Sequence, residues 1–465
     1  MQKSKASYLG FIALKLRRRL ANLRADQGGT VAVMMAFLLP VLAGSLGLGF
    51  EISGWYLRTR AMQNAADAAA IAAATNAGAN YDVEAKAVTA QEGFVDGTNN
   101  VTVTVSNTAL CPAGGNDCYS VKISNFVPLY LAQIVGFSGD AIVNGTRGKS
   151  LSSAAVAKPT KIKQPICLLG LDTNGTAIRS NGAPNADFTG CAIMSNSNET
   201  CNGSNLNAYL GLASGTNSGC GNTQLSNIPT VSDPYSALAS SIPTDLSTRC
   251  SNSYPQESRK GSVWSGGTEW SGTKTLTGTA SLAGNTLICG DLRLTADVTI
   301  DAPDGATLFI DNGVLDLQGH TFKTASGSSV TIVFTGTNSG SYQHIPIDNQ
   351  GGGAFDFEAP KSGPFSGLAI YQDPNLTSGV DITYSGNNPT WEITGGVYLP
   401  NANLRISGAV NKSSNGGDCF VMVAKTVLIN GTGSIYQQSP NGSGCKSAGL
   451  NMPTAIIQGR GQLVY

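Results

Sequence analysis

Residues 30–50, TVAVMMAFLLPVLAGSLGLGF, contain no ionisable side chain. Wound as a helix at ~1.5 Å per residue, that stretch reaches across a hydrocarbon core of ~30 Å. Lys3, Lys5, Lys15, Arg17, Arg18, Arg19 and Arg24 precede it against Asp26 alone, while Arg58 and Arg60 follow, diluted by Glu51 and Asp67. The positive-inside rule makes residues 1–29 a cytoplasmic basic head, 30–50 a single transmembrane helix, and the remainder extracytoplasmic. Pro40 is compatible with this, because membrane helices tolerate proline. A cleaved secretory signal has a shorter apolar region and a small-x-small site just after it; here Gly-Phe-Glu-Ile-Ser follows.

The helix is expected to continue through Trp55 and residues 61–74. Ala61, Ala65, Ala68, Ala69, Ala72 and Ala73 recur at three- and four-residue spacing. That face permits close helix packing, although alanine is also simply the best helix former.

The segment 28–74 resembles the N-terminal signature of the TadE/TadG-like family of Tad (Flp) pilus-assembly proteins. The matching features are Gly28-Gly29 before the span, Ala36-Phe37 and Pro40-Val41 within it, and Glu51 at its outer end. Leu57-Arg58-Thr59-Arg60-Ala61-Met62-Gln63-Asn64-Ala65-Ala66-Asp67-Ala68-Ala69-Ala70 follows, with Gln63 and Asp67 part of the signature. Type IV pilins share the layout but carry a glutamate five residues into the mature chain. Cleavage after Gly28 puts Val33 there, and cleavage after Gly29 puts Met34. The resemblance therefore favours the anchored, TadG-like branch over a polymerising pilin. The Asp-x-Ser-x-Ser metal motif of some relatives does not occur. The resemblance implies a bacterial inner-membrane protein with its C-terminal region in the periplasm. Its partners would be membrane lipid and other pilus-assembly or envelope proteins.

Formal net charge is zero and charged residues are 12% of the chain, so no basic field points to nucleic acid. The 57 glycines, with plentiful Asn, Ser and Thr, suit short strands joined by tight turns. Ten cysteines all lie beyond residue 110; none forms C-x-x-C, and His320 and His344 alone do not make a zinc site. An even count in an oxidising compartment reads as disulfides. Cys111 and Cys118 flank a turn-rich loop; Cys167–Cys191, Cys201–Cys220, Cys250–Cys289 and Cys419–Cys445 are the nearest remaining pairs. Neighbour pairing is one of many possible connectivities.

Residues 51–149 read as the helix plus a small α/β, pilin-like module. Asp82 caps a second helix through about Phe94, and the alternation of VTVTVS (101–106) and YSVKIS (119–124) indicates half-buried strands. Residues 128–137 read as a helix and 141–146 as a third strand. Residues 150–165, small, polar and proline-bearing, read as a linker. From 166 to 465, short apolar steps alternate with Gly, Asn, Asp and Thr, most regularly over 286–334. Asp304-Gly305 and Asn312-Gly313 mark turns. The whole is mainly β. Region 166–465 fits a right-handed parallel β-helix, with a β-sandwich as the alternative. Cys167 and Cys191, 24 residues apart, suit successive coils. This region resembles the β-helical ectodomains behind some TadE/TadG-like anchors, at Ile166-Cys167-Leu168-Leu169-Gly170-Leu171-Asp172, Gly190-Cys191 and Gly396-Val397-Tyr398-Leu399-Pro400. Residues 226–261 are an irregular insertion strapped down at Cys250, with a short helix at 237–239.

Catalytic constellations are scarce. Arg147-Gly148-Lys149-Ser150 ends like a phosphate loop, but Val143 stands where that loop needs glycine. Gly-x-Ser-x-Gly is absent, and neither His320 nor His344 has a recognisable partner. Asp291, Asp297, Asp301, Asp304, Asp311 and Asp316 offer carboxylates for a β-helix polysaccharide lyase or hydrolase. They are also ordinary turn and strand-end residues, and only Arg293 and Lys323 supply nearby positive charge. The expectation is a non-enzymatic scaffold or interaction protein of a Tad/Flp-type pilus machinery, with no cofactor. A surface adhesin, or a glycan-cleaving enzyme, is the alternative.

Overall fold

The computed structural model describes residues 28–78, 80–183, 186–246, 250, 262–264, 267–271, 274–337, 344–345, 353–377, 382–384, 390–407, 409–410, 419–431, 434–435 and 443–464. The expected cytoplasmic head lies outside the described residues up to Gln27, as do positions 251–261 of the insertion. The chain forms two compact units, one of residues 1–161 with 458–465 and one of residues 162–457.

In the first unit, helix α1 (Gly28–Asn76) runs unbroken through Pro40 for 49 residues. It is followed by α2 (Tyr81–Gln91) and by strands β1 (Val101–Ala109), β2 (Cys118–Pro128), β3 (Ala141–Val143) and β4 (Thr146–Lys158). β1 pairs antiparallel with β2, β2 with β4, and β4 with β3. Gln462–Leu463, at the far end of the chain, adds to the edge of β4. On α1, Met62, Ala65, Ala66, Ala69, Ala70, Ala73 and Ala74 are fully buried. They recur at helical spacing and pack on Val103, Val121, Ile123, Ala155 and Ala157 of the sheet. The small-residue face thus serves the helix's own sheet. Of the alanines expected on it, Ala61 is exposed and Ala68 and Ala72 are half-buried.

The linker expected at 150–165 is corrected: β4 occupies Thr146–Lys158, and the next strand is Lys161–Gly170. Leu151, Ser153, Ala155 and Ala157 alternate inward along β4. Opposite the alanines, β4 turns mainly small side chains inward, Ser153, Ala155 and Ala157, so this strand lacks the hydropathy contrast of β1. The boundary at 166 moves with it, and the last residues of the expected 166–465 region belong to the first unit. The helix expected at 128–137 shrinks to the 3-10 turn Ala132–Val135, and the third strand to Ala141–Val143.

The second unit is built on parallel pairing, unlike the antiparallel strands of a sandwich. Gly284–Cys289 pairs with Ala306–Asp311, that strand with Val330–Thr335, and so on through Leu368–Gln372, Thr390–Ile406 and Phe420–Gly431. A second row runs through Leu292–Asp301, Thr321–Thr324, Ala354–Glu358 and again Thr390–Ile406. The ladder then continues out of chain order. Phe420–Gly431 pairs with Lys161–Gly170, which pairs with Ala192–Ser195, Leu210–Ala213 and Thr223–Leu225 in turn. Equivalent positions stack into one row: Leu287, Phe309, Val333, Tyr371, Tyr398, Val423, Leu169, Met194 and Leu212.

Both faces of this sheet are buried, as parallel sheets require. One faces a core with Leu294, Ile300, Phe322, Phe355 and Trp391. The other is covered by residues that include Tyr235, Leu246, Cys445 and Leu450. Because the ladder's two ends are separated in space, residues 226–246 run back along it as a strap. The Asn196 side chain brackets Val231, accepting its N–H and donating to its carbonyl, both at 2.8 Å. The Tyr398 hydroxyl donates to Asp233 (2.8 Å), the Tyr235 hydroxyl to the Asn451 carbonyl (2.7 Å), and Cys250 is bonded to Cys289. The short helix is a 3-10 segment, Ser236–Ser241.

Candidate functional site

Disulfides join Cys111–Cys118, Cys167–Cys191, Cys201–Cys220, Cys250–Cys289 and Cys419–Cys445, leaving no free thiol. Among the described residues, one group of His, Cys, Asp and Glu is close enough to share a metal ion: Cys111, Asp117 and Cys118. Its two sulfurs are bonded to each other, so neither is a thiolate ligand.

The Asp residues singled out in the regular strands mostly tie neighbouring strands together. Asp291 accepts the Val314 N–H (3.1 Å) and Asp297 the Thr321 N–H (2.8 Å). Asp316 takes Arg293 Nε at 3.0 Å, Ser328 donates to Asp301 at 3.4 Å, and the Asn312 amide donates to Asp311 at 2.8 Å. Burial pushes the Asp311 carboxyl up, partly offset by that amide. Asp304 is exposed. His320 stands 3.8 Å from Asp297 at the surface. His344 is buried, stacked on Phe334 with ring centroids 4.3 Å apart, and its Nε2 meets the Gln372 amide at 2.7 Å. Burial lowers its pKa to about 3, so the ring is neutral. Glu199 is fully buried, neither carboxyl oxygen has a hydrogen-bond partner, and burial raises its pKa to about 9.

The signature residues converge on α1 instead. Gly28 and Gly29 open the helix, and Pro40 sits in its exposed apolar part. The Glu51 carboxylate accepts three consecutive backbone N–H groups, from Tyr130 (2.7 Å), Leu131 (2.5 Å) and Ala132 (3.0 Å). Slight burial pushes this carboxyl up, but the three amides outweigh it and hold it below the usual range. The same loop covers two glycines of α1. A Cβ on Gly44 would lie 2.6 Å from Val135 Cγ1, and one on Gly47 2.9 Å from Leu131 Cβ. A side chain at Gly47 would press on the Leu131 Cβ next to its backbone, whereas one at Gly44 would displace only a Val135 methyl. Trp55 packs on Phe137 at 5.7 Å between ring centroids. Arg58 lies over Phe94 (5.4 Å) and donates from Nε to the buried Asn125, whose own amide donates to the Asn99 and Asn100 carbonyls. Gln63 donates to Asp67 (2.8 Å) and to the Ala154 carbonyl (3.2 Å), linking helix to β4.

Sequence reasoning found Glu51 but missed its partners and Gly44 and Gly47. The available signal was the absence of Asp, Glu, Lys, Arg and His from 123 to 139, against which an isolated helix-end glutamate has obvious use.

The arrangement fits a membrane anchor: a helix long and apolar enough to cross a membrane becomes, without a break, the core helix of a small α/β module. Residues 28–76 match the family model of Tad, described as Flp pilus-assembly TadE/G-like, and these bounds are those of α1 itself. This segment is thus similar to the Tad domain. No curated protein and no solved structure matches the chain.

Proposed function

We propose that the protein is an inner-membrane-anchored, non-enzymatic component of a Flp-type pilus-assembly machinery, with residues 1–29 cytoplasmic and both folded units in the periplasm. The coincidence of the Tad match with a single helix that is first membrane-capable and then packed on a sheet carries this reading. The basic residues before the span set its orientation. Disulfides in both units agree with an oxidising compartment.

The second unit is, on this reading, a right-handed parallel β-helix that acts as a rigid display surface for pilus or envelope partners. Register offsets of 22 residues (Leu287 to Phe309), 24 (Phe309 to Val333) and 25 (Tyr398 to Val423) support it, being close to one coil each. The engagement of its aspartates in strand-to-strand hydrogen bonds favours scaffold over glycan-cleaving enzyme.

Cross-linking and pull-down from native membranes tests the proposal. Recovery of pilus-assembly or secretion components is the expected result; glycan-processing enzymes without them would overturn it.

A further inference from the structure

Resting on the membrane-anchor reading, we infer that loop 129–137 is a second membrane contact, an apolar wedge that enters the lipid leaflet beside α1. Residues 123–139 contain no Asp, Glu, Lys, Arg or His, and Lys122 and Asp140 bound the run. At its tip Tyr130 and Ile134 are each 73% exposed, with Leu131, Val135 and Phe137 also open to the surroundings. Isolated exposed apolar residues are ordinary, but a contiguous group marks a contact surface.

Position identifies lipid as the occupant. Val135 sits over Gly44 and Leu131 over Gly47, within the uncharged span. Gly44 precedes Phe50 by six residues, so Val135 reaches ~9 Å below the end of that span at ~1.5 Å per residue. Leu46 and Phe50, 74% and 80% exposed, stand on the helix at the same height. If α1 crosses a bilayer, acyl chains surround that height, and the loop meets the same medium.

The backbone is prepared for it. In hydrocarbon every N–H needs a partner within the protein. Glu51 takes those of residues 130, 131 and 132. Ile134, Gly136 and Phe137 donate to Leu131, Gln133 and Ala132, Leu129 donates to Arg147, and the Gln133 side chain donates to Leu129. Tyr130 and Trp55 provide the aromatic rings favoured at membrane interfaces.

The test places a spin label on the full-length protein in phosphatidylethanolamine–phosphatidylglycerol vesicles. Ile134→Cys, Phe37→Cys and Val83→Cys each introduce one thiol beside ten bonded cysteines. Phe37 marks the span and Val83, on α2, the aqueous module. The wedge predicts that the Ile134 label is several-fold more accessible to oxygen, relative to a water-soluble nickel chelate, than the Val83 label. An Ile134 label as open to nickel as Val83, with Phe37 in lipid, overturns the wedge alone. Nickel access at Phe37 as well overturns the anchor reading with it. Shielding of Ile134 from both reagents overturns the wedge in favour of contact with a second copy.

Discussion

The two units bury apolar surface in opposite ways. In the first, α1 offers alanines to a sheet whose facing strand carries Ser153, Ala155 and Ala157. Each buries little area, and cohesion comes from close approach of helix and sheet backbones. In the second, Phe322, Phe355, Trp391, Tyr371 and Tyr398 are fully buried and stacked along a ladder covered on both faces. The first solution is sensitive to added volume, the second to lost volume, and substitutions of opposite sign separate them.

Phe322→Ala is expected to have the largest effect. The ring is 0% exposed and meets Phe357 edge-on at 5.0 Å. Truncation should cost ~3–5 kcal/mol, read as an earlier urea transition of the second unit. An unchanged midpoint would mean that the ladder's interior is not packed as described.

Next comes the Glu199 carboxyl, whose pKa rises from 4.5 unfolded to about 9 folded. Between those values the unfolded chain has released a proton that the folded chain holds. Stability present below the unfolded pKa is therefore lost as pH rises through this window. The loss is on the order of 3 kcal/mol by pH 7, at ~1.4 kcal/mol per unit. Glu199→Gln should flatten the pH dependence of the second unit's urea midpoint between pH 5 and 8. Equal slopes in the two proteins would show that water reaches the carboxyl.

On the helix face, Ala69→Leu adds volume where Ala69 is fully buried. Overpacking should cost ~1–3 kcal/mol, seen as faster hydrogen exchange across β2 and β4 with the second unit unaffected. Unchanged protection would mean that α1 does not sit tightly on its sheet.

The same contrast explains what could be read from the chain. The apolar span and the strand alternation at 101–106 and 119–124 are local patterns, and the structure places a helix and strands there. β4 was illegible because its partner is alanine: small side chains on both sides erase the hydropathy contrast that marks a strand. The out-of-order stacking of Lys161–Gly170 on Phe420–Gly431 is a long-range pairing that no local window contains. The strap follows from it, since a chain leaving one end of the ladder must travel back to the other. At the signature, Glu51 stood out as a lone carboxylate at the end of an apolar helix. Its three amide partners lie about 80 residues away along the chain and are invisible to spacing.

The smallest effect concerns that carboxylate and sharpens the comparison where the first unit uses a charge to hold a loop against its helix. Glu51→Gln keeps the shape but replaces an acceptor-only group with one acceptor oxygen and an NH2 donor, which has nothing to offer three converging N–H groups. Hydrogen bonds to a charged acceptor contribute ~1.5–3 kcal/mol, and partial exposure reduces this to ~1–2 kcal/mol. The loss should be local: the amides of residues 130–132 exchange faster, while the α1–sheet core and the ladder keep their protection. Acid should reproduce it in the unmutated protein. The folded carboxyl titrates below its ordinary value, so its stabilisation is present above the unfolded pKa and disappears as pH falls through the lowered one. Loop amides that open in acid in the parent protein, but already exchange fast at neutral pH in Glu51→Gln, would identify the charge as what holds the loop against the glycines of α1. If the substitution leaves their exchange unchanged, packing of Leu131 and Val135 on Gly47 and Gly44 holds the loop by itself.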